Sequence, residues 1–200
     1  YLIDEKIWVA DPYADKILDP DDKWINENSY PELKSYPEGA LHDMWYENRV
    51  AVLQVGQTQY EWVNDDFVKP EKEELLIYEL LVRDFLGEDN MNYNSMIDTL
   101  TYIKSLGVNA IELMPIMEFN GNDSWGYNPT YMFAVDKAYG SRDMLKQFID
   151  KAHGMGMAVI LDMVMNQNDA PSPYANMFFD FDNFKPLATN PWFNTDAKHP

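Results

Sequence analysis

The sequence predicts an α/β fold, in which parallel strands alternate with helices behind a loop-rich β segment. Three observations predict it. Between residues 71 and 200, three short apolar runs alternate with two helical stripes. The runs are nearly continuous rather than strictly alternating, as in parallel strands covered on both faces. Upstream, residues 1–70 carry Pro12, Pro20, Pro31 and Pro37 and show no sustained helical period.

In chain order, Val50–Val55 reads as a strand, and Tyr60–Val63 alternates weakly. This region is the expected tail of a β-sandwich. Leu76–Arg83 is an apolar run of strand length. Tyr93, Met96, Ile97, Leu100, Ile103 and Leu106 then draw one helix face, and Gly107 supplies a left-handed stop. Val108–Met114 is the second strand, ended by Pro115. A long polar, aromatic loop is expected from there to residue 140. Ser141 reads as an N-cap for the stripe Met144, Leu145, Phe148, Ile149 and Ala152, closed by Gly154. Met157–Val164 is the third strand. Gly107–Met114 and Gly156–Met163 align as a faint internal repeat. Periodicity permits either a (β/α)8 barrel or a doubly wound sheet. No glycine-rich phosphate loop follows a strand, which weighs against nucleotide binding.

Composition narrows the function. Two hundred residues allow one ordinary domain, or a small one joined to part of a larger one. The net charge of −19 repels phosphate backbones, so nucleic acid and basic membrane-surface roles are disfavoured. Apolar residues at 46% can form a sizeable core. The absence of cysteine excludes disulfides, thiolate metal sites and a cysteine nucleophile, and leaves the compartment open. No apolar stretch is long enough to span a bilayer. The opening YLIDEKIWVADP lacks a signal-peptide pattern and starts with Tyr, so the chain is expected to be part of something longer.

Ligands in either candidate fold meet the C-terminal ends of parallel strands. Two segments lie there: Asn120–Pro129 and Asp162–Asp169. A period of two places Asp162, Val164 and Asn166 on one face. An acid in an apolar strand is either functional or bonded to a neighbouring loop. Asn166 is suited to a hard cation or to a turn cap. Trp125 and Tyr127 flank Gly126, where flat rings either stack on a sugar or cover a barrel rim. His42, His153 and His199 have no Ser or acid partner at motif spacing, and His153 is expected to end its helix as a cation.

YELLVRDF, SLGVNAIELMPI, WGYNPTYMFAVDKAYGS and AVILDMVMNQ together resemble the alpha-amylase/pullulanase family of glycoside hydrolases. The resemblance covers about residues 76–200, with four motifs in family order. ADPYADKILDP more weakly resembles the end of a starch-binding-like β-sandwich that precedes the barrel. The implied organisation is residues 1–72 as the C-terminal part of that module and residues 73–200 as the first three βα units of a (β/α)8 TIM barrel. The implied substrate is an α-glucan, cleaved with retention. The expected relatives are extracytoplasmic amylase-like proteins of Bacteroidetes-type bacteria, placed in the periplasm, at the cell surface or outside the cell.

By the same resemblance, Tyr127 matches a tyrosine that stacks on the sugar at the cleavage subsite. Asp162 matches an aspartate that braces the active site. Asn166 matches a position that helps bind calcium in many members, and Trp125 belongs to the same substrate-facing loop. Gln167 falls where the family usually has histidine; it keeps one hydrogen bond but no charge. The family's nucleophile and acid lie after the fourth and fifth strands, so no catalytic residue is expected within this chain. The remaining half of the barrel would come from the parent chain. A glucan-binding scaffold and a branching transglycosylase share these motifs and stand as alternatives.

Overall fold

A computed structural model of the chain describes residues 1–87 and 90–194. Its strands are β1 (Leu2–Ile3), β2 (Ile7–Trp8), β3 (Ile17–Leu18), β4 (Val50–Ala51), β5 (Ile77–Leu80), β6 (Ala110–Leu113), β7 (Met117–Phe119), β8 (Pro129–Val135), β9 (Ala158–Leu161), β10 (Phe179–Asp180) and β11 (Lys185–Pro186). Its α-helices are α1 (Val82–Phe85), α2 (Tyr93–Ile97), α3 (Leu100–Ser105), α4 (Arg142–Gly154) and α5 (Pro173–Asn176). Among the described residues, no helix is long and apolar enough to cross a membrane.

The central sheet is parallel, in the order β5-β6-β9. Strand, helices, strand, helix, strand is the succession of a barrel wall, and this is a partial (β/α)8 barrel. One face of the sheet carries Tyr78, Leu80, Ile111, Leu113 and Val159 into the main core. Met96, Leu100, Ile103, Leu145 and Phe148 from the helices pack against them. Such burial contributes about 1.5–3 kcal/mol per large side chain.

α4 follows its sequence pattern closely. The Ser141 hydroxyl accepts from the Met144 amide at 3.2 Å, satisfying one free donor of the first turn. The apolar stripe of α4 then faces β9, and the helix ends at Gly154. His153 does terminate α4, but its ring stacks flat on Phe67 at 4.2 Å. Burial pulls its pKa below the usual imidazole value, which disfavours the charged form expected from the helix dipole.

Other expectations are corrected. The first apolar run pairs only over Ile77–Leu80; the Leu81 carbonyl then accepts from the Asp84 and Phe85 amides and starts α1. The single helix expected over 93–106 is two, α2 and α3. Thr99 at the break turns its hydroxyl back onto the Met96 carbonyl at 2.7 Å, the local competition that interrupts helices. The presumed loop after Pro115 holds an antiparallel hairpin, β7–β8. The third strand ends at Leu161, so its alternation stops there: Val164 is buried and Asn166 exposed.

Residues 1–72 hold two short antiparallel ladders, β1–β2 and β3–β4. Of the strand expected over 50–55, Val50–Ala51 pairs with β3, and the Val52 amide adds one bond to the Lys16 carbonyl at 3.0 Å. Tyr60–Val63 is not a strand but part of a strap along α4. Its anchor is the Asp150 carboxylate, which accepts from the Tyr60 hydroxyl, the Val63 amide and the Asn64 amide at 2.8–3.0 Å. A second anchor is buried and ionic. Lys137, just after β8, pairs with Glu118 of β7 and lies 3.3 Å from Asp22 and 3.5 Å from Asp19. Burial pushes the Asp22 carboxyl up to about 7, against the opposing pull of Lys137. Ile17 and Tyr131 join the two parts in a small apolar core.

Candidate functional site

The C-terminal ends of β5, β6 and β9 carry the candidate site. The Asp162 amide donates to the Leu113 carbonyl at 3.0 Å, so the parallel ladder extends one residue past β9. That fixes Asp162 at the mouth of the half barrel.

Tyr127 reaches it from the tip of the β7–β8 hairpin. Several local bonds set the tip. The Asn120 amide donates to the Asn128 carbonyl at 3.3 Å, and the Gly126 amide donates to the Ser124 hydroxyl at 2.9 Å. The Tyr139 hydroxyl donates to the Ser124 carbonyl at 3.2 Å. Gly126 has φ +88°, and a Cβ there would collide with the Pro115 carbonyl oxygen. Only glycine lets the loop lie this close to the end of β6.

With the loop so placed, the Tyr127 hydroxyl donates to Asp162 Oδ2 at 2.6 Å. This bond, aided by burial and by the charges of Asp162, Glu79 and Glu112, pushes the Tyr127 hydroxyl up to about 12. Tyr127 as a whole remains 38% exposed.

Glu79 and Glu112 were not singled out in the sequence. They are register partners on neighbouring strands. Each lies between core-facing residues, so the period of two turns both away from the core, toward the barrel interior. The signal was present: Tyr78-Glu79-Leu80 and Ile111-Glu112-Leu113 are one pattern repeated on two strands.

The remaining predicted residues share no hydrogen bond with this pair. Trp125 is exposed at the loop tip. Asn166 and Gln167 are exposed and line a separate groove in the loop after β9. His199 falls outside the described residues.

The neighbours of Asn166 do not form a calcium ligand set. Asn120 Oδ1 accepts from Arg49, Asp169 Oδ2 from Asn120, and Asn168 Oδ1 from Ser172. Among the described residues, no three His, Asp or Glu side chains converge as a metal site. Calcium prefers six to eight oxygens, and these are already engaged by hydrogen-bond donors.

Comparison with known proteins agrees with this geometry. Residues 81–194 match the alpha-amylase family, catalytic domain. A malto-oligosyltrehalose trehalohydrolase of Saccharolobus solfataricus is 42% identical over 54% of this chain and 19% of its own length. A 1,4-alpha-glucan branching enzyme of Nitrosomonas europaea is 33% identical over 66% of this chain and 19% of its own. The chain thus spans about a fifth of the length of these curated relatives. A crystal structure of a Salmonella typhimurium protein described as an alpha amylase superposes with a TM-score of 0.60 at 28% identity, covering 94% of this chain and 27% of that one. The family match, the parallel β5-β6-β9 wall and the placement of Asp162 at its mouth lead to one conclusion: this chain belongs to the alpha-amylase family, through its catalytic domain.

Proposed function

We propose that this chain forms the substrate-facing wall of an enzyme that acts on α-glucosidic bonds of starch-like polysaccharides. One observation carries the reading: the 2.6 Å bond between Tyr127 and Asp162 at the C-terminal ends of the strands. The bond fixes the carboxylate and presents the ring. A pyranose has an apolar face that packs on such a ring and hydroxyls that donate to such a carboxylate. Tyr127 therefore positions the sugar by stacking. Asp162 accepts from sugar hydroxyls and holds them in one orientation.

Retaining cleavage needs two carboxylates about 5 Å apart, one attacking and one protonating the leaving oxygen. In this reading those groups come from later strands of the full protein, and the 200 residues bind glucan without cleaving it. Transfer rather than hydrolysis is the second reading, favoured by the likeness to the branching enzyme.

Two assays test the proposal. Calorimetry should show maltoheptaose binding to this chain and at least tenfold weaker binding to Asp162→Ala. Equal affinity of the two proteins would contradict it, and so would reducing-sugar release from starch by the chain alone. On the full-length protein, new reducing ends from amylose indicate hydrolysis. Branch points formed without new reducing ends indicate transfer.

A further inference from the structure

Two loops carry the candidate site, and one side chain from outside the barrel wall ties them together. The loop over residues 120–128 bears Tyr127, and the loop that opens with Asp162 follows β9. Between them lies Asn120, the first residue after β7, and all four of its polar groups are engaged. Its amide donates to the Asn128 carbonyl and its carbonyl accepts from Asn128 Nδ2, both at 3.3 Å. Those two bonds close the neck of the loop immediately beside Tyr127. Its side-chain Oδ1 accepts from Arg49 Nη2 at 2.9 Å, and its Nδ2 donates to Asp169 Oδ2 at 3.0 Å. The Asp169 amide in turn donates to the Pro129 carbonyl at 3.0 Å. Two bonds at Asp169 therefore stitch the loop after β9 to the loop that bears Tyr127.

Arg49 comes from the N-terminal segment, seventy-one positions from Asn120. Its side chain is only 7% exposed. The head is held on two further sides: Nη1 donates to the Asn48 carbonyl at 3.3 Å, and Nε lies 3.7 Å from Asp19 Oδ2. A guanidinium is a rigid planar fork, so holding it on two sides aims its remaining nitrogen. Burying this charge is costly, and Nε has no hydrogen-bond acceptor. What the burial secures is the aim at Asn120. The same segment reaches the loop a second time, where Asn122 Nδ2 donates to the Asp21 carbonyl at 2.8 Å.

We infer that Arg49 is a positioning residue for the glucan site: through the relay Arg49–Asn120–Asp169, residues 1–72 set the loop that bears Tyr127 against the strand end that bears Asp162. Arg49 itself touches no sugar. The middle of the relay has to be an amide, because one end accepts from a cation while the other donates to a carboxylate. The inference rests on the glucan reading of the barrel mouth, and adds to it a role for the N-terminal segment in shaping that mouth.

The test uses the intact 200-residue chain and two readouts: NMR titration of the Tyr127 hydroxyl, and maltoheptaose affinity by calorimetry. Asn120→Asp keeps an acceptor for Arg49 but sets a carboxylate against Asp169. The Tyr127 midpoint should fall from about 12 toward 10.0, in the direction of Asp162→Ala. Affinity should weaken about fivefold, the scale of one lost hydrogen bond. An added negative charge without loop displacement would raise the midpoint, so the sign separates displacement from electrostatics. The double variant Asn120→Asp/Asp169→Asn reverses donor and acceptor of the central bond and restores the original charge. It should return the midpoint to about 12 and the affinity to within about twofold. Arg49→Lys keeps the charge beside Asp19 but not the planar fork, and should lower the midpoint as Asn120→Asp does. Circular dichroism checks each fold, and the double variant decides the relay even if Arg49→Lys is unfolded. A double variant no better than Asn120→Asp would overturn the relay. So would a midpoint unmoved in Asn120→Asp and Arg49→Lys while Asp162→Ala moves it, which leaves the barrel-mouth pair intact. No maltoheptaose binding by the unaltered chain would overturn the glucan reading, while the titration alone decides whether Arg49 sets the loop.

Discussion

The Tyr127 hydroxyl and the Asp162 carboxylate lie thirty-five positions apart in sequence and share a 2.6 Å hydrogen bond at the mouth of the half barrel. The loop bearing the ring crosses the end of β6, and the strand bearing the acid is the neighbour of β6 in the sheet. Sheet order and loop geometry together make the pair.

The first prediction concerns the protonation of Tyr127. Its hydroxyl is raised from 10.0 to about 12, first by the bond to Asp162. A raised acid is held in its protonated form, so this stabilisation is present below pH 10 and lost as pH rises through about 12. Asp162→Ala should return the group toward 10.0. NMR titration of the labelled tyrosine ring carbon reads the value directly. A midpoint that does not move in the variant would show that the bond does not govern the hydroxyl.

Gly126 should tolerate no side chain. Its φ of +88° is unfavourable for other residues, and a Cβ would strike the Pro115 carbonyl. Gly126→Ala should cost at least about 2 kcal/mol, or push the loop off β6. In the second case stability changes little, but the Tyr127 ring loses contact with Asp162. Chemical denaturation and the Tyr127 titration distinguish the two outcomes. A variant unchanged in both would contradict the placement of the loop.

Much of this arrangement was legible in the sequence. α4 was readable because its cap, apolar stripe and terminal glycine agree: Ser141, Met144 to Ala152, Gly154. The three parallel strands were readable as apolar runs, though each is shorter than its run because pairing ends before hydrophobicity does. The hairpin β7–β8 was not readable. Its sequence is interrupted by register shifts at Glu118, and both strands are largely buried, so no alternation marks them. At the split between α2 and α3 the Thr99 hydroxyl and amide both turn back onto the Met96 carbonyl, a detail no apolar stripe reveals. The buried ionic cluster joins Asp19, Asp22, Glu118 and Lys137, residues whose meeting depends on tertiary structure alone. Asp162 and Tyr127 were readable as candidates, but not as bonded partners.

That ionic cluster makes the third prediction. The Asp22 carboxyl is raised from 3.8 to about 7, chiefly by burial, so the folded chain binds a proton that the unfolded chain releases. The stability linked to it is full below pH 3.8 and lost as pH rises through about 7. Asparagine mimics the protonated acid. Asp22→Asn should therefore raise the melting temperature relative to the unaltered chain by clearly more at about pH 8.5 than at about pH 5. The same difference at both values would contradict a buried, proton-binding Asp22.

Lys137 is the central counter-charge of the cluster, with Arg49 a second one 3.7 Å from Asp19. Lys137→Met leaves Asp19, Asp22 and Glu118 buried around an apolar chain. Breaking a buried pair in this way costs about 3–5 kcal/mol. Urea denaturation should show a loss of that size. A loss below about 1 kcal/mol would mean that water reaches the acids, as for a surface pair.

NMR mapping of maltotriose on the labelled chain tests whether Tyr127 and Asp162 face one sugar. The Tyr127 ring and the Asp162 carboxyl carbon should shift together, along one saturating curve, and Asp162→Ala should reduce the shifts at Tyr127. Maltotriose that moves neither signal at saturation, or moves them with unrelated affinities, would contradict a single sugar-facing pair.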